Sequence, residues 1–457
     1  MTRDTTAAAA SVTGRPVPVR DAEAQTGPGW STAARVPERC RTLSVADAET
    51  YVASVCFKTG PPGPVGVEIE QVVHDRHDPG LPVTAGRVRS ALAPAGRLLP
   101  GGGVISFEPG GQVEISSACA ADLASLLAAT RADYRTVNDL LAADGLYPGP
   151  LALDPLRAPT RSLDHPRYAA MERHFDRAGP EGLVMMCSTA AIQISVEAGH
   201  PGEGPQSAVE RWNRLHRLAP VLVAMFANSP FRHRTPSGWK STRHRVWAAI
   251  DPTRSTPVTG PARESDPALA WARYALEANV LCIRSAGADW DAPRGLTMRD
   301  WLNGRGPRPV TVADLEYHLT TLFPPVRPRG YLELRVIDAQ EGADWEAATA
   351  VVTALMDDPQ AAEAADVACA ALEGRAGITE GAARDGLENP MLAAAARACA
   401  DAVLAALPRF GADRATMAGA AEFLEKYTLR GRSPADERLD HWHRTGSFFL
   451  PPSQEQS

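Results

Sequence analysis

The amino-acid sequence predicts an α+β fold, with a mostly antiparallel, curved sheet carrying helices on one face. Three observations support this. Four short segments alternate apolar and polar residues, as half-buried strands do. They are Val65-Gly-Val-Glu-Ile-Glu70, Gln112-Val-Glu-Ile-Ser116, Ala191-Ile-Gln-Ile-Ser195 and Tyr331-Leu-Glu-Leu-Arg-Val336. Segments of helical period separate them. The strands are also not continuously apolar, as they would be in a parallel sheet covered on both faces. One face of the sheet should therefore pack on helices while the other lines a polar site.

The elements follow in order. Residues 1–38 are rich in Thr, Ala, Pro, Gly and Arg without apolar period, and read as a disordered arm. Ser44 followed by acids predicts a capped helix running to Cys56. Residues 75–100 read as loop. Pro109-Gly110-Gly111 between two alternating runs predicts a hairpin of 104–108 with 112–116. Leu123, Leu126, Leu127, Val137, Leu140 and Leu141 mark a helix over 120–143. A strand lies within 184–196. Trp212, Leu215, Leu218, Leu222 and Met225 mark the buried side of a helix over 208–226. A short helix over 315–322 precedes the Glu333 strand. From about 341 to 430 the chain is Ala-rich and helical, with breaks near Gly374 and Pro390. Residues 39–450 form one domain in this reading, and 451–457 a polar tail.

Bulk properties exclude some classes. The 457 residues are 44% hydrophobic and 22% charged, as in a globular protein. A net charge of −7 argues against a nucleic-acid-coating protein or a polybasic membrane binder. The seven cysteines are odd in number and lack Cys-x-x-Cys spacing, which fits reduced thiols in a cytoplasmic protein. No uninterrupted run of about 18 apolar residues is present, so no membrane-spanning helix is expected. No apolar stretch before a cleavage site marks a secretory signal.

The strands carry the chemistry. Period two places Glu68 with Glu70, Glu114 with Ser116, Gln193 with Ser195 and Glu333 with Arg335, each pair opposite apolar neighbours. A glutamate on a half-exposed strand is ordinary when alone, but strands do not favour Glu, and three repeat the pattern. Carboxylates gathered on one face repel unless cations sit among them, and their oxygens suit Mg²⁺ or Mn²⁺. Taken alone, Arg335 reads as a surface ion pair; beside the carboxylates its fork also fits a transferring phosphoryl group.

Other motifs are weaker. Gly101-Gly102-Gly103 and Gly110-Gly111 lack Walker or Rossmann spacing and read as turn glycines. His74, Asp75, His77 and Asp78 read as a solvated loop rather than a metal cluster. The polar stretch 228–254 is balanced between a surface loop and a substrate-binding segment whose arginines hold carboxylates. No nucleophile elbow or Ser-His-Asp arrangement stands out.

Eight blocks, in order along the chain, resemble the plant-type glutamate–cysteine ligase family. They are GVEIE at 66–70, EPGGQVEIS at 108–116, RYAAM at 167–171, IQIS at 192–195, FANSPF at 226–231, STRHRVW at 241–247, DPTR at 251–254 and YLELR at 331–335. An actinobacterial branch that serves ergothioneine synthesis is the most similar. The resemblance implies a glutamine-synthetase-like ligase sheet on which ATP phosphorylates the γ-carboxylate of L-glutamate. The amine of L-cysteine then displaces phosphate to give γ-glutamylcysteine. It implies Glu68, Glu70, Glu108, Glu114 and Glu333 as Mg²⁺ (or Mn²⁺) ligands. It also implies Glu68 and Arg335 as catalytic, Arg335 and Ser116 toward ATP, and Arg243, Trp247, Arg254 and Gln193 toward substrate. The partners it implies are small molecules, without nucleic acid or membrane. A ligase with a different amine acceptor, and a metabolite-binding protein that has lost turnover, remain as alternatives from the residues themselves.

Overall fold

The computed structural model describes residues 43–259 and 265–450. The arm expected over 1–38, residues 39–42 and the tail at 451–457 lie outside the described residues. The strands, in chain order, are β1 (Val65–Gln71), β2 (Val73–Asp75), β3 (Val104–Phe107), β4 (Val113–Ser116), β5 (Leu146–Pro148), β6 (Ala191–Val196), β7 (Phe231–Arg232), β8 (Thr235–Pro236), β9 (Val326–Pro328) and β10 (Leu332–Asp338). Six of them form one sheet in the order β3-β4-β1-β6-β10-β9. Every neighbouring pair in it is antiparallel. The expected α+β class, with a curved antiparallel sheet, is what forms.

Strand register sorts the side chains. Val67 pairs with Ile194, and Ile69 with both Ile115 and Ile192, so apolar residues fall in rows on one face. That face packs on the helices Leu123–Ala143, Ala208–Met225 and Asp344–Asp357. One contiguous apolar core runs from Leu43 to Tyr427 through these elements. Many of the helices begin where a side-chain cap satisfies free N–H groups, although Asp344–Asp357 has none. Ser44 and Asp47 form a capping box on Val45–Cys56, Asp122 accepts the Ser125 N–H at 2.8 Å, and Ser207 accepts that of Glu210 at 3.3 Å. Such caps are each worth about 1 kcal/mol.

Three local expectations are corrected, and one helix is added before the expected strand at 184–196. Residues 75–100 contain a helix, Ala85–Leu92, capped by Thr84; the Pro and Gly residues around it mask its short pattern. A second helix, Glu181–Ser188, precedes β6. His74 and Asp75 are buried on β2, which pairs with β5, and that pairing is too remote in sequence to read locally. Asp75 binds Arg87 at 2.7 Å and the N–H groups of His77 and Asp78. The stretch 228–254, read as loop, contains the helices Thr242–Ala248 and Pro252–Ser255.

The C-terminal part is helical, as expected, and continues into a further helix, Pro434–Thr445. The stretch Pro390–Phe410 is long and apolar enough to cross a membrane by length and composition. Here it packs against the helices Asp344–Asp357, Pro359–Cys369 and Ala208–Met225.

The glycine motifs serve close backbone packing. Gly111 turns the β3–β4 hairpin at φ +91°. A Cβ on Gly110 would lie 2.3 Å from the carbonyl oxygen of Cys187 and 2.5 Å from its Cα. At Gly101 it would meet the Ala129 carbonyl oxygen at 2.1 Å. Gly110→Ala is expected to cost about 1–3 kcal/mol through overpacking. Thermal denaturation of that variant should show a lowered midpoint, and an unchanged one would mean that the hairpin and the Cys187 backbone separate freely.

Candidate active site

On its other face the sheet sets polar side chains in three rungs. Ser106, Glu114 and Glu70 stand side by side across β3, β4 and β1. Ser116, Glu68 and Gln193 do so across β4, β1 and β6. Ser195, Glu333 and Arg327 follow across β6, β10 and β9. Directly paired residues have Cβ atoms about 4.5–5.5 Å apart, and like charges at that spacing repel.

The β4–β1 half of this face is negative. Glu114 Oε1 accepts the hydroxyls of Ser106 at 2.6 Å and Ser116 at 3.1 Å. Glu70 accepts the Ala191 N–H at 2.8 Å and the Gln193 amide at 2.7 Å. Glu68 has no hydrogen-bond partner among the described residues. Burial, then repulsion from Glu114 and Glu333, pushes its carboxyl up to about 8. Burial also raises Glu70 and Glu114. Three carboxyls that resist ionisation together are an oxygen-donor set suited to a hard divalent cation. Among the described residues no three such groups already converge on one point.

The β9–β10 half is positive. Arg327 grips Glu333 through Nε at 2.6 Å and Nη2 at 3.1 Å, Arg329 adds Nη1 at 3.1 Å, and Arg335 adds Nη1 at 3.0 Å. Burial alone would raise Glu333, but Arg327, Arg335 and Arg329 outweigh it and hold the carboxylate ionised. Four guanidinium N–H contacts fill the roughly four lone-pair directions of a carboxylate. Glu333 therefore anchors arginines in this arrangement, unlike the other three glutamates. Gln193 joins the halves, since its amide donates to Glu70 and its oxygen accepts from Arg335.

A second apolar cluster walls the site. It includes Met171, Phe175, Met185, Met186, Val246 and Ile250, with Trp247 and Phe323 packed against it. Arg335 stands over the Phe323 ring at 6.0 Å and Arg243 over Trp247 at 5.8 Å. The Arg243 Nε and Trp247 Nε1 donors are both buried without an acceptor. Buried donors of this kind are costly unless a ligand meets them.

The remaining expected residues fall elsewhere. Arg254 is fully buried and committed to the scaffold, because it binds Asp251 at 2.9 Å and the carbonyls of Thr321 and Asn279. In this arrangement its guanidinium is occupied by these partners rather than by the polar face of the sheet. Glu108 sits at the hairpin turn rather than on a strand, with Cys187 nearby. Burial pushes the Cys187 thiol up to about 12, which makes it a poor nucleophile.

Sequence reasoning missed Arg327, Arg329 and Asp338. A bulge explains Asp338. Leu334 pairs with Ile194 but Ile337 with Ile192, so β10 carries one extra residue there. The bulge turns Ile337 to the apolar face and brings Asp338, paired with Ala191, onto the polar one. The signal was the broken alternation at Val336-Ile337.

A neutral amide at position 68 should remove the free-energy cost of holding that carboxyl away from its ordinary ionisation beside Glu114 and Glu333. In EDTA, Glu68→Gln is expected to melt about 1–3 °C above the parent protein. A lower midpoint would show that Glu68 makes a stabilising contact instead.

Comparison with known proteins agrees with the sequence blocks. The model of glutamate–cysteine ligase family 2 matches residues 64–450. The glutamate–cysteine ligase EgtA of Mycobacterium tuberculosis is 39% identical over 413 residues, covering 88% of this chain and 92% of that one. EgtA of Mycolicibacterium smegmatis is 38% identical, covering 87% and 91%. The chloroplastic glutamate–cysteine ligase A of Oryza sativa subsp. indica is 30% identical over 53% of this chain and 49% of its own. The family match spans the whole sheet and both of its charged halves, and the chain belongs to the glutamate–cysteine ligase family.

Proposed function

We propose that this enzyme joins the γ-carboxylate of L-glutamate to the amine of L-cysteine in an ATP- and Mg²⁺-dependent reaction. The products are γ-glutamylcysteine, ADP and phosphate, made in the cytoplasm for ergothioneine synthesis. One observation carries the reading: a three-carboxylate half and an arginine half share one face of a single sheet.

Each half has a task in this reading. Glu68, Glu70 and Glu114 would hold Mg²⁺ (or Mn²⁺), which supplies charge neutralisation for the triphosphate. Arg335, at the bulge and against Gln193 and Phe323, faces the transferring phosphoryl group, and Glu333 with Arg327 and Arg329 holds it there. Ser116 lies beside Glu68 on the ATP side. Arg243 and Trp247 direct their unpartnered N–H groups at a carboxylate of L-glutamate. A γ-carboxylate oxygen attacks the γ-phosphorus, and ADP leaves. The cysteine amine then attacks the acyl carbon, phosphate leaves, and the nitrogen loses a proton. Such transfers need alignment and charge compensation rather than a protein nucleophile, which fits the lack of a visible triad.

The test is ADP release with Mg²⁺, ATP and L-glutamate across a panel of amino-acid acceptors, with mass spectrometry of the products. Cysteine-dependent release with a γ-glutamylcysteine mass is expected. Release with a different acceptor only would keep the mechanism and change the substrate. No glutamate-dependent release would favour a binding protein. Glu68→Gln is expected to lower kcat about 100-fold or more, and an unchanged kcat at saturating Mg²⁺ would remove Glu68 from the site.

A further inference from the structure

Arg243 is held from behind. Asp338, buried to 1% exposure, lies with Oδ1 3.5 Å from Arg243 Nη1. The same oxygen accepts the Ser241 hydroxyl at 3.0 Å. Asp338 Oδ2 accepts the Ser229 hydroxyl at 2.7 Å and the Asn228 N–H at 2.9 Å. Ser229 Oγ accepts the Arg243 backbone N–H at 3.1 Å, and Arg243 Nη2 donates to the Arg335 carbonyl at 3.0 Å. With these bonds made, the guanidinium keeps Nε without an acceptor.

The support continues outward. The Asn228 amide donates to the carbonyls of Pro150 at 2.8 Å and Ala339 at 2.7 Å. Its oxygen accepts Arg438 Nε at 2.7 Å. Arg438 stands on the helix Pro434–Thr445, is 3% exposed, and also donates to Pro150 at 3.1 Å and Glu341 at 2.9 Å. The Ala435 N–H of that helix donates to the Ala227 carbonyl at 2.9 Å. An unbroken series of buried polar contacts thus joins the C-terminal helix to Arg243.

We propose that Asp338 is a positioning residue for the glutamate subsite, and that Arg438, acting through Asn228, makes the C-terminal helix part of that subsite. The inference rests on the reading of Arg243 as a ligand of substrate glutamate. A long arginine side chain has many rotamers, and fixing it before substrate arrives favours binding. Asp338 can do this because three donors besides Arg243 fix both of its oxygens. Among the described residues no hydrogen bond or ion pair joins Asp338, Ser229, Ser241, Asn228 or Arg438 to Glu68, Glu70 or Glu114, so loss of the series should weaken glutamate binding and leave ATP binding alone.

The experiment uses the full chain and measures kcat, KM for glutamate and KM for ATP by ADP release. The variants are Arg243→Lys, Asp338→Asn, their double variant, Ser241→Ala and Arg438→Met, each checked by thermal denaturation. Arg243→Lys and Asp338→Asn are each expected to raise KM for glutamate about tenfold, with KM for ATP within about twofold of the parent. The double variant should be little worse than Arg243→Lys alone, because coupled residues are not additive. Ser241→Ala and Arg438→Met, which disturb the network less, should raise KM for glutamate about threefold and keep the proposal testable if Asp338→Asn does not fold. A parental KM for glutamate in folded Asp338→Asn, or in both milder variants, overturns the inference while Arg243→Lys still shows its effect. A parental KM in Arg243→Lys overturns the reading of Arg243 and this inference with it. Equal shifts in both KM values, or full additivity in the double variant, would mean a general scaffold role and also overturn it.

Discussion

Carboxylates at paired positions of adjacent strands repel, and much of the structure answers that repulsion. Glu70 and Glu114 stand opposite each other on β1 and β4, with Glu68 on the next rung of the same face. Serine hydroxyls, a backbone N–H and the Gln193 amide meet two of the three. They do not neutralise the set, and all three carboxyls remain harder to ionise than in water. A fold keeps such an arrangement only if the rest of the sheet is held firmly. The opposite face supplies this through rows of Val, Ile and Leu packed on three long helices.

Charge separation along the sheet gives the site its direction. Arginines from β9, β10 and the turn between them gather around Glu333, and their mutual repulsion is overcome because one carboxylate binds three of them. The order β1-β6-β10 places Gln193 between the two halves, in contact with both. The face therefore carries carboxyl groups at one end and guanidinium groups at the other. The bulge in β10 adds a third element, since it brings Asp338 to the chemical face behind Arg243.

The walls of the site come from outside the sheet. The segment 226–254 leaves the long helix Ala208–Met225, returns over the polar face, and presents Arg243 and Trp247 from a helix capped by Ser241. His244 on that helix faces the Val336 carbonyl at 2.7 Å, and burial with Arg243 nearby lowers it to about 4, so it stays neutral and structural. The C-terminal helices complete the core and, through Arg438, touch the support of the same segment.

The sequence alone determined the sheet and the identity of its chemical face. Alternation within β1, β4, β6 and the first part of β10 is a local property with a period of two, so Glu68, Glu70, Glu114, Glu333 and Arg335 could be assigned to one face without any partner strand. Helices with long apolar periods and Ser or Asp caps were legible for the same reason. What tertiary structure decided depends on which segments meet. Whether Arg254 serves a ligand or the scaffold depends on Thr321 and Asn279, remote in the chain. That three arginines grip Glu333 depends on the return of β9 alongside β10. Asp338 reached the site through a bulge set by pairing with β6, and a bulge reverses the parity on which the local reading relied. Alternation reports the face of a side chain, while only pairing and packing determine what that face meets.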